Sequence, residues 1–396
     1  MELNEKNIAG VFRTFFGGED EPLIVCSPGR VNIIGEHTDY NQGFVLPAAI
    51  DKAAYVAMSK RDDDVISLYA CDFKEEYETT LDAISKSEKH WPNYILGVID
   101  QLQKSNALLC GVNILLVSDI PIGAGLSSSA ALECATLFAL NEMFDLHLTK
   151  AEMAHIAQNA EHEFAGVKCG VMDMFASLFG KKDHVINLDC RSLLYEYIPL
   201  DLHGYKIVLL NTNVPHKLSA SEYNIRRGQC EQGVEWVKEH VPSVMALRDV
   251  SMEMLDKYVL PKDRLIYQRC KYVTEENNRL LHACSDLKHG NVHELGRKMF
   301  ATHEGLRYQY GVSCSELDFL VDYVKDNDAV LGARMMGGGF GGCTINIIKE
   351  EAIQGIIDEL VIAYKAATGL PLSYYIASVG DGTRVVSETE PELITR

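Results

Sequence analysis

The stretch DIPIGAGLSSSA, residues 119–130, joins two strongly apolar segments. The run VNILLVSDI (112–120) is typical of a buried strand, and AALECATLFALNEMF predicts a buried helix that begins near Ser127. A glycine turn that enters a helix leaves backbone N–H groups unpaired at the positive end of the helix dipole, where a phosphate can bind. The three serines add hydroxyls that can bind phosphate oxygens or a magnesium ion.

Two better-known phosphate motifs do not describe this loop. The pattern GxxxxGK[ST] needs a lysine that is missing here, and G-x-G-x-x-G needs a third glycine where the chain has Ser128. A serine-rich helix start is also a common N-cap. Taken alone, the loop leaves phosphate binding and simple helix capping equally open.

A second glycine cluster, GGGFGG at residues 337–342, lies between the apolar runs ARMM and CTINII. It matches G-x-G-x-x-G, but its surroundings predict a turn between strands at 330–336 and 342–348 instead of a dinucleotide site. Five glycines in six residues weaken a fold unless the backbone must approach something closely. The partner of that approach, another backbone or a ligand, stays open.

Length and composition favour a folded protein of two domains. The chain has 396 residues, whereas a single core stops growing at roughly 250–300 residues. The first half predicts strands followed by helices, and the second half predicts long helices with a few strands. We therefore predict an α+β fold with domains at residues 1–200 and 201–396. Helices are predicted at 93–104, 127–144, 150–166, 262–287, 290–307 and 313–325.

The charge balance limits the class of partner. There are 56 acidic and 37 basic residues, so the formal charge is −19, which repels nucleic acid and anionic membranes. The 11 cysteines contain no C-x-x-C pair, which indicates a reduced protein without a zinc ribbon or disulfide frame. No run reaches the roughly 18 apolar residues of a membrane span. We expect a cytoplasmic protein that acts on small molecules. We expect a monomer and leave oligomerisation open.

Charged residues are concentrated in SPGRVNIIGEHTDY, residues 27–40. Arg30, Glu36 and Asp39 adjoin apolar residues here, so they either line a cleft or form an internal salt bridge in a solvated loop. Asp173 lies in the apolar stretch VMDMFASLF, where an unpaired carboxylate would be costly, and a partner such as Arg30 would stabilise its ionised form. Glu161 has the ordinary alternative of an exposed helix residue.

Phosphoryl transfer needs a phosphate cradle, a magnesium bridge, a positioned hydroxyl and stabilisation of the transferring charge. The serine-rich loop and the charged residues offer one candidate for each requirement. The residues alone therefore indicate an ATP-dependent kinase for a small hydroxylated substrate.

Three motifs, in order, carry a family resemblance. SPGRVNIIGEHTDYNQGFVLP resembles the galactokinase signature, while IPIGAGLSSSA and MMGGGFGGCTI resemble the second and third motifs of the galacto-, homoserine, mevalonate and phosphomevalonate (GHMP) kinases. HKLSASEYNIRRGQC (216–230) also looks like galactokinase. The resemblance implies a two-lobed α+β kinase with its active site in the cleft between the lobes. It implies phosphorylation of α-D-galactose at the C1 hydroxyl, the first committed step of galactose catabolism, with Mg2+ and ATP.

The resemblance also implies a role for each matching residue. Asp173 would act as the base or orient the sugar hydroxyl, and Arg30 would assist it. The implied sugar ligands are Glu36, His37, Asp39, Gly170, Asp173 and Tyr223. The implied ATP-binding residues are Gly123, Gly125, Leu126, Ser127, Ser128, Ser129 and Trp91, with Tyr94 beside Trp91. The implied magnesium ligands are Ser129 and Glu161, and Gly338 and Gly339 would close the cleft.

Two alternatives remain open at this stage. The motifs fix hydroxyl contacts better than tolerance at C2 or C6, so a kinase for N-acetylgalactosamine or galacturonate is the runner-up. Non-catalytic galactose sensors share the fold but have lost part of the serine-rich loop, which is complete here. One departure is visible, because Met174 stands where many relatives carry glutamine.

Overall fold

The computed structural model describes residues 4–18, 21–121, 123–214 and 219–386, without the side chains of 219–221. Residues 216–218 of the segment HKLSASEYNIRRGQC therefore lie outside the described ranges. None of the helices in those ranges is long and apolar enough to cross a membrane.

Strands and helices alternate irregularly along the chain. The strands are β1 (Leu23–Asn32), β2 (Phe44–Val45), β3 (Pro47–Lys60), β4 (Val65–Ala70), β5 (Glu75–Thr80), β6 (Val112–Ser118), β7 (His184–Asp189), β8 (Tyr195–Pro199), β9 (Tyr205–Asn211), β10 (Val330–Met335), β11 (Cys343–Lys349), β12 (Ser373–Ala377) and β13 (Arg384–Val385). The helices are α1 (Glu5–Phe16), α2 (Pro92–Lys104), α3 (Ser128–Phe144), α4 (Lys150–Ala160), α5 (Met172–Phe179), α6 (Ser219–Lys238), α7 (Met252–Met254), α8 (Arg264–Lys288), α9 (Val292–Glu304), α10 (Ser315–Val324) and α11 (Ile353–Thr368).

The first sheet has the strand order β13-β1-β3-β6-β4-β5, and its pairs are antiparallel except β4 with β6. Helices α2 to α5 cover one face, where Ile95, Leu137, Met153 and Phe175 pack in one cluster with Ile114. Helix α1 covers the other face of the same strands. Adjacent strand residues point to opposite faces, so the strands β1, β3 and β6, which are covered on both faces, carry apolar residues on both sides.

The second sheet has the order β10-β11-β9-β12, and β2, β7 and β8 form a third. A single core cluster joins the two halves of the chain, because Ile33 and Leu46 pack with Leu209, Leu280 and Ile345. This shared core fixes the motif at residues 27–40 against the C-terminal sheet.

The predicted α+β fold is confirmed. The glycine cluster at 337–342 is a turn between β10 and β11, as its surroundings predict. The division at residue 200 stays a prediction. In the structure β13 returns to the first sheet, where Val385 and Arg384 pair with Val25 and Cys26 of β1.

Helix α9 crosses β10 at very short range, and Gly296 makes that approach possible. A Cβ at Gly296 would lie 2.0 Å from the carbonyl oxygen of Leu331, whereas a Cβ at Gly355 in α11 would meet nothing within 4 Å. Neither atom of the close pair belongs to a flexible side chain, so one backbone would have to shift.

We predict that Gly296→Ala lowers the free energy of unfolding by about 1–3 kcal/mol through overpacking. The matched variant Gly355→Ala should raise it by up to about 1 kcal/mol, because alanine favours an exposed helix position. Urea unfolding of both variants measures the difference. Equal effects of the two substitutions would show that the α9–β10 contact is not rigid.

Candidate active site

A cavity of about 400 Å3 lies where β1, the serine-rich loop, α5 and the 337–342 turn meet. Most predicted site residues line it, namely Arg30, Glu36, His37, Asp39, Gly123, Gly125, Leu126, Ser127, Ser128, Ser129, Glu161, Asp173, Tyr223, Gly338 and Gly339. Gly170 contacts the site from behind, and Trp91 lines a neighbouring cavity. Residues far apart in sequence are therefore brought together as the three motifs predict.

Arg30 and Asp173 form a bidentate ion pair at the centre of the cavity. The Arg30 Nε and Nη2 atoms donate to the two carboxylate oxygens at 2.7 and 2.9 Å, and Nη1 donates to the Gly125 carbonyl at 2.7 Å. Burial lowers the pKa of Arg30, but Asp173 outweighs it, so the guanidinium pKa is raised overall. Planar two-point pairing of this kind holds both groups ionised and fixes their orientation.

The loop before α3 gives the backbone positive φ angles at Gly123, Gly125 and Ser127. Ser127 makes no side-chain capping bond to the helix, and its hydroxyl donates to the Asp173 carboxylate instead. The simple N-cap alternative is therefore wrong for Ser127. The loop connects the carboxylate to a helix start whose dipole favours an anion.

Glu36 is held by three donors. The Asn32 amide and the Gly337 N–H donate at 2.7 Å each, and Arg334 donates from Nη1 at 3.1 Å. Burial raises the pKa of Glu36, but Arg334 and then Arg30 outweigh it, so the pKa is lowered and the carboxylate is ionised. Sequence reasoning missed Arg334; the signal available was an arginine inside the apolar strand pattern ARMM.

Arg334 is fully buried and connects the two halves of the chain. Besides Glu36, it donates to the carbonyls of Ile33 at 2.9 Å, Met335 at 2.6 Å and Asn32. Three of its four acceptors, two of them backbone carbonyls, therefore belong to the motif at 27–40. Hydrogen bonds to this many acceptors offset the desolvation cost of the buried guanidinium. The same guanidinium also orients the Glu36 carboxylate.

Among the described residues, no cation pairs with Asp39 as Arg334 pairs with Glu36. Burial, followed by the negative charge of Asp173, raises the pKa of Asp39 to about 7. Gly170 lies directly behind its carboxylate, and a Cβ at that position would be 2.0 Å from the Asp39 Oδ2 atom. Gly170 thus gives Asp39 room and does not itself line the cavity.

Three aromatic rings surround His37. Ring centroids of Tyr310, Tyr223 and Tyr40 lie 4.8, 5.5 and 5.9 Å from the imidazole centroid. Burial lowers the pKa of His37 to about 4, so the ring is neutral at physiological pH. Burial also raises the pKa of Tyr223 well above its usual value, which keeps its hydroxyl protonated.

The glycines of the 337–342 turn allow a close approach to another backbone. A Cβ at Gly339 would lie 2.2 Å from the Val312 carbonyl oxygen, so another backbone occupies that side. Gly338 is open by contrast, with the Tyr223 ring 3.6 Å from an added Cβ, and both glycines line the cavity. The turn packs on one face and faces the candidate site with the other.

Ser129 and Glu161 form the remaining polar corner. The Ser129 hydroxyl donates to Glu161 Oε1 at 3.1 Å, and Glu161 begins a π-helical turn that ends α4. Burial and Asp173 raise the pKa of Glu161 to about 7. A buried carboxylate beside a hydroxyl offers two oxygen ligands that a divalent cation can bind. Within the described ranges, no group of three or more His, Cys, Asp or Glu side chains is arranged to hold a metal ion.

A second cavity of about 680 Å3 opens beside this corner. It is lined by Trp91, Tyr94 and the first residues of α3, and it shares Ser128 and Ser129 with the first cavity. The indole N–H of Trp91 donates to Glu75 at 2.9 Å, which fixes the ring. The two cavities together offer a polar compartment and a more apolar one on either side of the serine-rich loop.

Comparison with known proteins places this arrangement in a family. The chain matches the GHMP kinases N terminal domain over residues 93–181, the GHMP kinases C terminal domain over 283–366 and the galactokinase galactose-binding signature over 10–60. It is 44% identical to the galactokinase of Thermotoga petrophila over 362 residues, 91% of this chain and 99% of that protein. The chain belongs to the galactokinase family.

Other relatives agree. A galactokinase of Roseiflexus sp. is 38% identical over 371 residues, 93% of this chain and 95% of its own length. The crystal structure of Lactococcus lactis galactokinase complexed with galactose superposes with a TM-score of 0.91 at 34% identity, covering 96% of this chain and 99% of that chain. Methanococcus jannaschii mevalonate kinase, at 19% identity and a TM-score of 0.62 over 92% of this chain and 100% of its own, shares the fold. The predicted family and its class, an ATP-dependent sugar kinase, are confirmed.

We predict that Arg334→Met lowers the free energy of unfolding by about 3–5 kcal/mol, because it leaves Glu36 buried without its nearest cation. Arg297→Met removes an exposed arginine paired with Glu294 and should cost about 0–1 kcal/mol. Urea unfolding compares the two. A loss below about 1 kcal/mol for Arg334→Met would mean that Glu36 does not depend on it.

Proposed function

We propose that the protein transfers the γ-phosphoryl group of ATP to the C1 hydroxyl of α-D-galactose, giving galactose 1-phosphate and ADP. The observation that carries this proposal is the Arg30–Asp173 pair, which contacts the serine-rich loop and lies beside the carboxylates of the 27–40 motif. A phosphate cradle and a hydroxyl-binding pocket thereby meet at one ionised carboxylate. The galactokinase names of the relatives and the galactose bound to the Lactococcus lactis protein support the same substrate.

The sugar end of the cavity is rich in acceptors. Glu36 is ionised and oriented, Asp39 lies against Gly170, and Asp173 faces both. Carboxylates accept from vicinal hydroxyls, and a sugar that lacks one of these hydroxyls would leave a buried acceptor unpaired. His37 and Tyr223 add groups that can donate. We assign all of these residues to galactose recognition.

The phosphate end is assigned to the loop before α3. Backbone N–H groups of Gly123, Gly125 and Leu126 and the hydroxyls of Ser127 and Ser128 would surround the ATP phosphates at the helix start. The neighbouring cavity with Trp91 and Tyr94 would hold the adenine ring, since a flat aromatic base suits aromatic walls.

Ser129 and Glu161 would hold Mg2+, whose remaining ligands are water and phosphate oxygens. When bound, Mg2+ neutralises charge that develops on the phosphate oxygens. Glu161 fits this role because its buried carboxylate lies beside the Ser129 hydroxyl, and burial and the charge of Asp173 raise its pKa to about 7.

Asp173 would accept a hydrogen bond from the C1 hydroxyl and take its proton as the sugar oxygen bonds to the γ-phosphorus. The bond between the γ-phosphorus and the bridging β–γ oxygen breaks, and ADP leaves with that oxygen. Arg30 keeps Asp173 ionised beforehand and stabilises the phosphoryl charge during transfer. Whether Asp173 removes the proton early or mainly orients the hydroxyl depends on how loose the transition state is.

The cavity's charges bear on the alternative substrates. Galacturonate would bring a carboxylate to a lining that already holds Glu36, Asp39 and Asp173, with Arg30 as the sole lysine or arginine among its described residues. Like charges at this range repel, so galacturonate is disfavoured. N-acetylgalactosamine adds a neutral group at C2, and the sensor alternative predicts binding without turnover.

We predict ADP release with galactose and Mg-ATP, and little with N-acetylgalactosamine, galacturonate or glucose. A coupled assay of the purified protein measures ADP with each sugar, with no sugar, and with galactose after EDTA. Preference for N-acetylgalactosamine would overturn the galactose assignment. Undiminished turnover in EDTA would overturn the proposed magnesium site. If the protein binds ATP but releases no ADP with any sugar, the sensor alternative would be favoured.

We predict that Asp173→Asn lowers kcat by about 10²–10⁴-fold, as expected for loss of a general base, while ATP still binds. Asp318→Asn is the matched control. Asp318 does not line the cavity, and its carboxylate lies 2.9 Å from the Arg307 guanidinium. That variant should lose stability and keep kcat. Steady-state kinetics and ATP titration on both variants test the role, and an unchanged kcat in Asp173→Asn would remove Asp173 from the chemistry.

A further inference from the structure

A chain of hydrogen bonds runs from the candidate sugar site into the C-terminal half of the protein. His37 Nδ1 lies 2.8 Å from the Tyr40 hydroxyl, which lies 2.6 Å from the Tyr310 hydroxyl. The Tyr310 hydroxyl in turn lies 3.3 Å from the Cys230 sulfur. We call these four side chains, His37, Tyr40, Tyr310 and Cys230, the relay. Tyr310 and Cys230 are fully buried, so water does not compete for their bonds.

The relay can run in two directions, because each hydroxyl has one proton to donate. If Cys230 donates to Tyr310, then Tyr310 donates to Tyr40, Tyr40 donates to His37 Nδ1, and the ring carries its proton on Nε2. In the reverse direction Nδ1 carries the proton and Nε2 is an acceptor. The direction therefore decides which hydrogen-bonding group His37 presents to the cavity.

The relative acidity of the groups favours the first direction. A phenolic hydroxyl is a stronger donor to imidazole nitrogen than an imidazole N–H is to a phenol, because the phenol is the more acidic group. This direction also requires a proton on Cys230, and burial raises the pKa of that thiol to about 11.

The backbone holds the imidazole in place for this task. His37 has a φ of 62°, a left-handed value that is unusual for a side chain of its size, and the Asn41 amide donates to its carbonyl at 2.9 Å. The Nε2 atom is buried, without a hydrogen-bond partner in the described part of the chain, and His37 lines the cavity. An unused nitrogen on a strained, fixed residue is available to a ligand.

We propose that Tyr40, Tyr310 and Cys230 are positioning residues that fix His37 as the Nε2–H tautomer, which donates to a sugar oxygen. The proposal rests on the sugar kinase function given above and deepens it. When ionised, the carboxylates of Glu36, Asp39 and Asp173 can only accept hydrogen bonds, so they recognise the protons of sugar hydroxyls. The neutral His37 N–H beside them would donate to a lone pair of a sugar oxygen. Acceptors and a donor together distinguish a sugar hydroxyl from an amine or a hydrogen atom at the same position.

The tautomer can be measured on the unmodified protein. Nitrogen-15 NMR of histidine-labelled protein distinguishes protonated from unprotonated ring nitrogens, and His37→Gln assigns the His37 signals among the 13 histidines. The expected result is a proton on Nε2 before sugar is added and a shift of the Nε2 signal with galactose. A proton on Nδ1 in the unmodified protein overturns the proposal without any relay variant and independently of turnover.

Tyr40→Phe removes the donor to Nδ1 and should give a mixture of both tautomers. We expect the KM for galactose to rise about tenfold, the effect of one lost hydrogen bond in the site, with the KM for ATP unchanged. Tyr310→Phe should act in the same direction and more weakly, since Tyr40 keeps its own proton. An altered tautomer in Tyr40→Phe with an unchanged galactose KM would overturn the specificity role.

Tyr364→Phe is the control for general destabilisation. Tyr364 is fully buried and its hydroxyl donates to the Thr212 carbonyl at 2.8 Å, remote from His37. It should lower the melting temperature and leave both KM values and the His37 tautomer unchanged. Equal KM changes in Tyr364→Phe and Tyr40→Phe would reduce the relay to a structural role. A protein that phosphorylates no sugar contradicts the proposed function, while the tautomer measurement still decides the relay.

Discussion

The ion pair between Arg30 and Asp173 is the constraint on which the site depends. Asp173 lies on the apolar helix α5, and Arg30 lies on the buried strand β1. Either charge alone would cost several kcal/mol in that environment. Together they remain ionised, and the third guanidinium nitrogen ties the serine-rich loop to them through Gly125. The same pairing that makes both charges tolerable in the fold therefore also places a carboxylate beside the serine-rich loop.

A second buried pair, Glu36 with Arg334, acts from the opposite side. Arg334 comes from β10 and binds backbone carbonyls of the 27–40 motif, so the C-terminal sheet fixes the orientation of an N-terminal carboxylate. Asp39 lies near both pairs without an ion-pair partner among the described residues, and burial, followed by the charge of Asp173, raises its pKa to about 7. The site thus contains two ion-paired carboxylates and a third carboxyl without a cation partner among the described residues, which suits a ligand that brings hydroxyl donors.

The sequence was informative where contacts are local or motif-bound. The strand–loop–helix around Ser127 and the turn at Gly338 were predicted, because apolar periodicity and glycine spacing report them directly. The partners Arg334, Tyr310 and Cys230 were not found, since they reach the 27–40 motif across most of the chain. Single-sequence patterns carry no such pairing. The direction of the Ser127 hydroxyl, toward Asp173 and not toward the helix backbone, also could not be found from the sequence.

The acidity of the cavity constrains how ATP can bind. The formal charge of −19 and the carboxylates at Glu36, Asp39 and Asp173 oppose a triphosphate, while Arg30 is the sole lysine or arginine among the described residues of the lining. Arg30 is already engaged by Asp173. Backbone N–H groups at the start of α3 supply partial positive charge, but these are fixed dipoles of limited strength. The divalent cation that we propose at Ser129 and Glu161 would add positive charge to a lining whose described residues include one arginine and no lysine.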